Sequence, residues 1–174
     1  SPFWNIFHPT PVRFGAFQSG DSADVLQPFA ARKVTVDESA RKELNNWTGG
    51  IPVLVMAVCE RLFAGCSDGQ TLSKTDADAA AEQVMEDYRE HIETLWNDLP
   101  TLARLDVVEL ASSREMSRAG LLTERIELLA QRGFAAEAGG NKLRSNCRIM
   151  ERHAAQRGQS LPEVQKLFST LNDY

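Results

Sequence analysis

No part of this sequence is apolar for the ~18–20 residues that crossing a bilayer takes. The longest apolar run, Ile51 to Cys59, stops at Glu60. No basic stretch leading into an apolar one opens the chain, so secretion is not signalled. Cysteine is scarce: Cys59, Cys66 and Cys147 are odd in number and at no metal-ligand spacing, which fits a reducing, cytoplasmic compartment. The histidines His8, His91 and His153 are scattered, without a set of metal-ligand neighbours. The nucleotide and nucleophile signatures G-x-x-x-x-G-K-[ST], G-x-G-x-x-G and G-x-S-x-G are all missing. No self-contained active site is visible.

What is present suits a folded chain. The 174 residues are 43% hydrophobic and 25% charged with a net charge of −5, enough apolar surface for one compact domain or two small ones sharing a core. The charge is unevenly shared. Residues 1–100 carry 8 Lys/Arg against 15 Asp/Glu, a net of −7, while residues 101–174 carry 11 against 9, a net of +2. The late excess gathers at Arg132, Lys142, Arg144, Arg148, Arg152 and Arg157, opposed only by Glu137 and Glu151. An acidic first half is a poor phosphate binder. The later stretch is either an ordinary solvated face or a contact for nucleic acid or an acidic partner.

The periodicity predicts a mainly α fold in three parts: an extended segment and short strand over 1–20, a helical bundle over 21–98, and a winged helix with further helices over 99–174. Pro2, Pro9 and Pro11, among Phe3, Trp4, Ile6 and Phe7, favour an extended, docked opening, with a short strand at Val12 to Phe17. The opening Ser1 without a methionine suggests a piece of a longer protein. Helices are expected over Ala23 to Arg32, over Glu38 to Trp47 behind the N-cap Asp37, and over Ile51 to Ala64. The last is apolar nearly all round, the pattern of a buried central helix, and Pro52 sits in its first turn where a missing N–H costs nothing. A long helix capped by Ser73 or Thr75 is expected to run to Asp98. After Pro100 the elements shorten. Helices are predicted at Leu102 to Ala111, Arg114 to Ala119 and Leu121 to Arg132, followed by a hairpin of Phe134 to Glu137 and Lys142 to Arg144. Two more are expected near Cys147 to Arg157 and Leu161 to Leu171. Three helices followed by a hairpin is the order of a winged helix.

Few residues suggest chemistry. Asp87 and His91 stand four apart and could pair across one helical turn. Glu82, Glu86 and Glu90 are read as a solvated face, because a di-metal bundle would need Glu-x-x-His on partner helices. The most specific string is Trp47-Thr48-Gly49-Gly50-Ile51-Pro52. Its glycines let the backbone approach a ligand or a neighbour, and the helix start that follows turns N–H groups outward. A plain helix–turn–helix junction would use the same residues.

The order of extended Pro segment, strand, two helices, T-G-G-I-P, buried helix, acidic helix and winged helix resembles the C-terminal half of STAND-type and initiator-type AAA+ ATPases. In those families a G-x-P motif opens a helix of the four-helix lid, and its proline packs near the adenine and sugar of the nucleotide. Gly50, Ile51 and Pro52 match that motif. The resemblance implies a regulatory lid and winged-helix module whose partner is an ATPase core lying outside residues 1–174. ATP or ADP would be the cofactor of the parent protein, and none is expected on this segment alone. It also implies a possible protein effector, DNA or homo-oligomeric partner, and no membrane.

Two other readings stay open. In a winged-helix DNA-binding regulator, Leu121 to Arg132 would be the recognition helix, presenting Thr123, Glu124, Glu127, Leu128 and Gln131. Arg132, Asn141, Lys142, Arg144 and Arg148 would contact nucleic acid, although two glutamates on the reading helix repel phosphates. In a helical adaptor, Phe3, Trp4, Ile6 and Phe7 would form the contact with another protein.

Overall fold

The computed structural model describes residues 16–17, 22–119 and 121–158. The extended opening, the strand expected from Val12 and the helix at Leu161 to Leu171 lie wholly or largely outside them. Ala16 and Phe17 are not in a strand, but their N–H groups bond to Gln131 O and Gly50 O.

The fold is mainly helical, as expected. Helices α1 (Ser22–Ala31), α2 (Glu38–Thr48) and α3 (Pro52–Gly65) come first. Asp37 caps α2 by accepting the Ala40 N–H at 2.7 Å. The apolar helix α3 buries Leu54, Val55, Ala57, Val58, Cys59 and Leu62, so it is the central helix the sequence promised. Arg32, just past α1, closes the far end of α3 by donating to the carbonyls of Phe63 and Cys66. Helix α4 (Lys74–Asp87) starts from Ser73, whose N–H and hydroxyl both reach the Asp76 carboxylate at 2.8 Å. That reciprocal cap is the one expected of a Ser-x-x-acid string.

Three features correct the sequence reading. The long helix to Asp98 is two helices, because Tyr88 leaves helical geometry at φ −104°, ψ 23°, and α5 (Arg89–Asn97) begins anew. Tyr88 is drawn aside by its hydroxyl, which bonds to Glu60 on α3 at 2.8 Å. A parallel pair of two-residue strands, β1 (Thr35–Val36) and β2 (Thr71–Leu72), ties the entrances of α2 and α4 together and buries Val36 and Leu72. Finally, the helix predicted at Arg114 to Ala119 is a strand. Helix α6 (Thr101–Ser113) ends at Arg114, which is left-handed at φ 63°, and the chain leaves as β3 (Glu115–Ser117).

The hairpin is where it was expected. Helix α7 (Thr123–Gln131) leads into β4 (Ala135–Gly139) and β5 (Lys142–Ser145), with the turn at Gly140-Asn141. Strand β3 adds to the other edge of β5, pairing Met116 with Leu143, so the sheet order is β3-β5-β4. Met116, Phe134, Ala135 and Leu143 form its buried side together with Leu129 of α7. An ion pair between the buried Asp106 and the half-buried Arg125, at 2.6 Å, joins α6 to α7. Burial pushes the Asp106 carboxyl up, only partly offset by the Arg125 charge.

Helix α8 (Arg148–Gly158) closes the molecule by packing against α6, α2 and α5. It meets Gly158 against Val108 at one end and the α2–α3 turn at the other.

Candidate functional site

The Thr48 to Pro52 turn lies at the seam between the bundle and the hairpin unit. Gly49 ends α2 at φ 61°, a conformation glycine takes without steric cost. A side chain there would fall on the Gly133 carbonyl and the Cys147 Cβ, and one at Gly133 would fall on the Gly49 carbonyl. The two glycines therefore let two backbones touch. The carboxamide of Asn146 donates to the carbonyls of both, at 3.4 and 3.5 Å. The Cys147 thiol donates to Trp47 O at 3.3 Å. On the other side of the turn, a Cβ at Gly50 would stand 2.5 Å from Phe17 O.

Of the motif residues Gly50, Ile51 and Pro52, the first two are buried and Pro52 is half-buried. The close approach that the glycines allow is thus to other parts of this chain. The N–H groups expected to point outward are partly used as well. Ile51 N–H bonds to Thr48 O, and those of Leu54 and Val55 bond to Ile51 O. What the turn still offers is apolar: Pro52, the half-buried Val53 beside it, and Met56, which is 61% exposed one turn further along α3.

Of the five candidate nucleic-acid residues, two are held by carboxylates and the other three are exposed. Lys142 is bound to Glu115 of the neighbouring strand at 3.1 Å. Arg148 is held by the buried Glu43 at 2.6 Å and stacks over the Trp47 ring at 4.8 Å. Asn141 sits at the hairpin tip, left-handed at φ 59°. Arg132 follows the end of α7, and Arg144 lies on β5; both are exposed. On α7 itself Thr123, Glu124, Glu127 and Gln131 are exposed as expected, while Leu128 is half-buried against the core.

The remaining chemistry is structural. Asp87 pairs with Arg61 at 2.9 Å instead of His91, whose ring lies 5.5 Å from that of Tyr88 because the helix breaks between them. Glu82 pairs with Arg152, and no cluster of three or more metal-ligating side chains occurs among the described residues. Burial pushes the Cys59 and Cys147 thiols up to about 12, so neither is a thiolate nucleophile near neutral pH. A groove of about 550 Å³ between α4, α5 and α8 holds Glu93 against His153 and Arg157 at 3.3 and 2.7 Å.

Sequence reasoning missed Gly133, Asn146 and Cys147 as partners of the Gly49 turn. Gly133 carries one local signal, a glycine directly after the helix expected to end at Arg132. The other two lie about a hundred residues from the turn they hold, and no local pattern joins them. No family model, curated protein or solved structure matches the chain. Among the described residues no helix is long and apolar enough to cross a membrane.

Proposed function

We propose that this chain is the regulatory lid and winged-helix module of a nucleotide-switched ATPase, coupling the nucleotide state of a separate core to the packing of the hairpin unit. One observation carries the reading. Gly49, next to the G-x-P residues, packs against Gly133 at the start of the hairpin unit, and the Asn146 carboxamide donates to the carbonyls of both. A nucleotide that pressed on Pro52 would act on α3 and, through the adjoining glycine contact, on β4 and α8. It could shift the unit only by binding the two arrangements with different affinity. Helix α7 leading into the hairpin and the sheet order β3-β5-β4 support the winged-helix part of the reading, with strand β3 in place of the middle of its three expected helices. The nucleotide would meet Pro52 mainly through apolar contact, since the N–H groups of Ile51, Leu54 and Val55 already have partners.

The direct test is to read the coding sequence upstream of Ser1 for a phosphate-binding G-x-x-x-x-G-K-[ST] loop within roughly 150–250 residues, the length of one core domain. With that loop present, Pro52→Ala in the full protein should weaken ADP retention by about tenfold, the loss of roughly 1.4 kcal/mol of apolar contact. An open reading frame starting just before Ser1 overturns the proposal. The DNA-binding alternative ranks second because Lys142 and Arg148 are already spent on Glu115 and Glu43.

A further inference from the structure

We propose that the polar cleft at the base of the hairpin is a binding site for the terminal phosphate of a small ligand. The cleft measures about 420 Å³, within the ~300–1,000 Å³ range of small-molecule sites. Three separate elements bring arginines to it: Arg114 from the end of α6, Arg144 from β5 and Arg148 from the start of α8. Asn45 adds a carboxamide; those of Asn46 and Asn146, which also line the cleft, donate to Glu43 and to the carbonyls of Gly49 and Gly133. Guanidinium forks with amide donors beside them are the chemistry that holds a phosphate, since each fork can give two parallel N–H bonds to its oxygens.

Two of these arginines lack an acidic partner, although the chain carries more acids than bases. Glu115 stands directly across the sheet from Arg144, but its carboxylate is taken by Lys142. Among the described residues no carboxylate reaches Arg144 or Arg114 within 4.0 Å, whereas Arg148 is bound to Glu43 and Asp78. Arg114 is held at φ 63°, where a glycine would sit free of strain. Arg114 and Arg144 are both exposed, so their guanidinium groups are open to an anion that enters the cleft, with no carboxylate to displace.

The same cleft selects for size. Glu115 and Glu151 also line it. Their carboxylates would repel the successive phosphates of a nucleic-acid strand, while a single terminal phosphate needs only the two uncompensated guanidinium groups. The proposal uses only this chain's own residues and does not depend on the ATPase reading.

The test is an amide-resolved NMR titration of the isolated chain with inorganic phosphate at fixed ionic strength. Shifts should concentrate at residues 45–46, 114–115 and 144–148. Arg114→Gly removes a guanidinium and relieves the left-handed strain, so the variant should fold at least as well. Together with Arg144→Gln it should weaken phosphate binding by about tenfold or more, while Arg132→Gln leaves binding unchanged. A parallel titration with AMP separates the sources: tighter binding than phosphate assigns a monoester, equal binding assigns the free ion. Shifts spread over all the basic surface, or undiminished in the double variant, would leave an adventitious ion only and overturn the site. Tighter binding of duplex DNA at the same residues, falling steeply with salt, would overturn it in favour of a polymer.

Discussion

Helices α3 and α8 each bury a face against three neighbours, but different forces hold them. Helix α3 buries Leu54, Val55, Ala57, Val58, Cys59 and Leu62, and its polar ties, Arg61 to Asp87 and Glu60 to Tyr88, lie at its outer edge, so most of its contribution comes from apolar surface removed from water. Helix α8 buries Ile149, Met150 and Ala154 too, yet it is also clasped by charge. Arg148 and Arg152 lie over Trp47 at 4.8 and 4.6 Å, and Arg148, Arg152 and Arg157 reach Glu43, Glu82 and Glu93. Apolar packing is indifferent to direction and to pH; a clasp of ions and rings fixes one arrangement and answers to conditions. Both helices share the apolar core, and the α8 seam is the part whose hold answers most to pH and salt.

That contrast can be broken first at α3. Val55→Asp would bury a charge among aliphatic side chains, and the chain should lose its cooperative melting transition altogether. A folded Val55→Asp variant would show that α3 is not the core. At the seam, Gly49→Ala adds a methyl where the Gly133 carbonyl already sits, at a left-handed φ. The expected loss is about 3 kcal/mol or more by denaturant unfolding, from overpacking and strain together. Gly139→Ala is the control. Its φ of 77° is equally left-handed but nothing stands within 4 Å, so only the conformational cost of about 1–2 kcal/mol should appear.

Glu43 tests the clasp. It is 4% exposed and receives Arg148 at 2.6 Å. Glu43→Gln should cost about 1–3 kcal/mol, less than a fully buried pair because Arg148 keeps contact with water. The smallest effect is in pH. Burial lowers the His153 pKa, helped by Arg157 and opposed by Glu93. A histidine that resists protonation when folded adds stability above its unfolded pKa of about 6.5, and that stability fades as the pH falls below it. Acid should therefore weaken the wild type, and His153→Gln should flatten the loss between pH 7 and 5. Equal pH profiles for the two would remove His153 from the clasp.

The elements that the sequence revealed were those written in local chemistry. Asp37 and Ser73 announced their helices as caps, Pro52 marked the start of α3, and the segments Phe134 to Glu137 and Lys142 to Arg144 placed the hairpin. Strands β1 and β2 are two residues each, too short for any alternation to register. Strand β3 was hidden because Arg114 to Ala119 has no strand pattern of its own; it is extended because Leu143 of β5 offers Met116 a buried partner. The break at Tyr88 is likewise tertiary, set by Glu60 on another helix. The same holds for the candidate site. Pro52 could be picked out locally, but that Gly49 would be used on Gly133, and Arg148 on Glu43, depends on where α8 lands.

The thiol at that landing point has a practical meaning. Cys147 is 1% exposed, and its sulfur is pinned against the Trp47 carbonyl. A thiol-directed reagent can reach it only in the moments when α8 lifts from the α2–α3 turn. Its labelling rate, compared with that of the α3 thiol Cys59, therefore clocks how often the seam opens without the bundle unfolding.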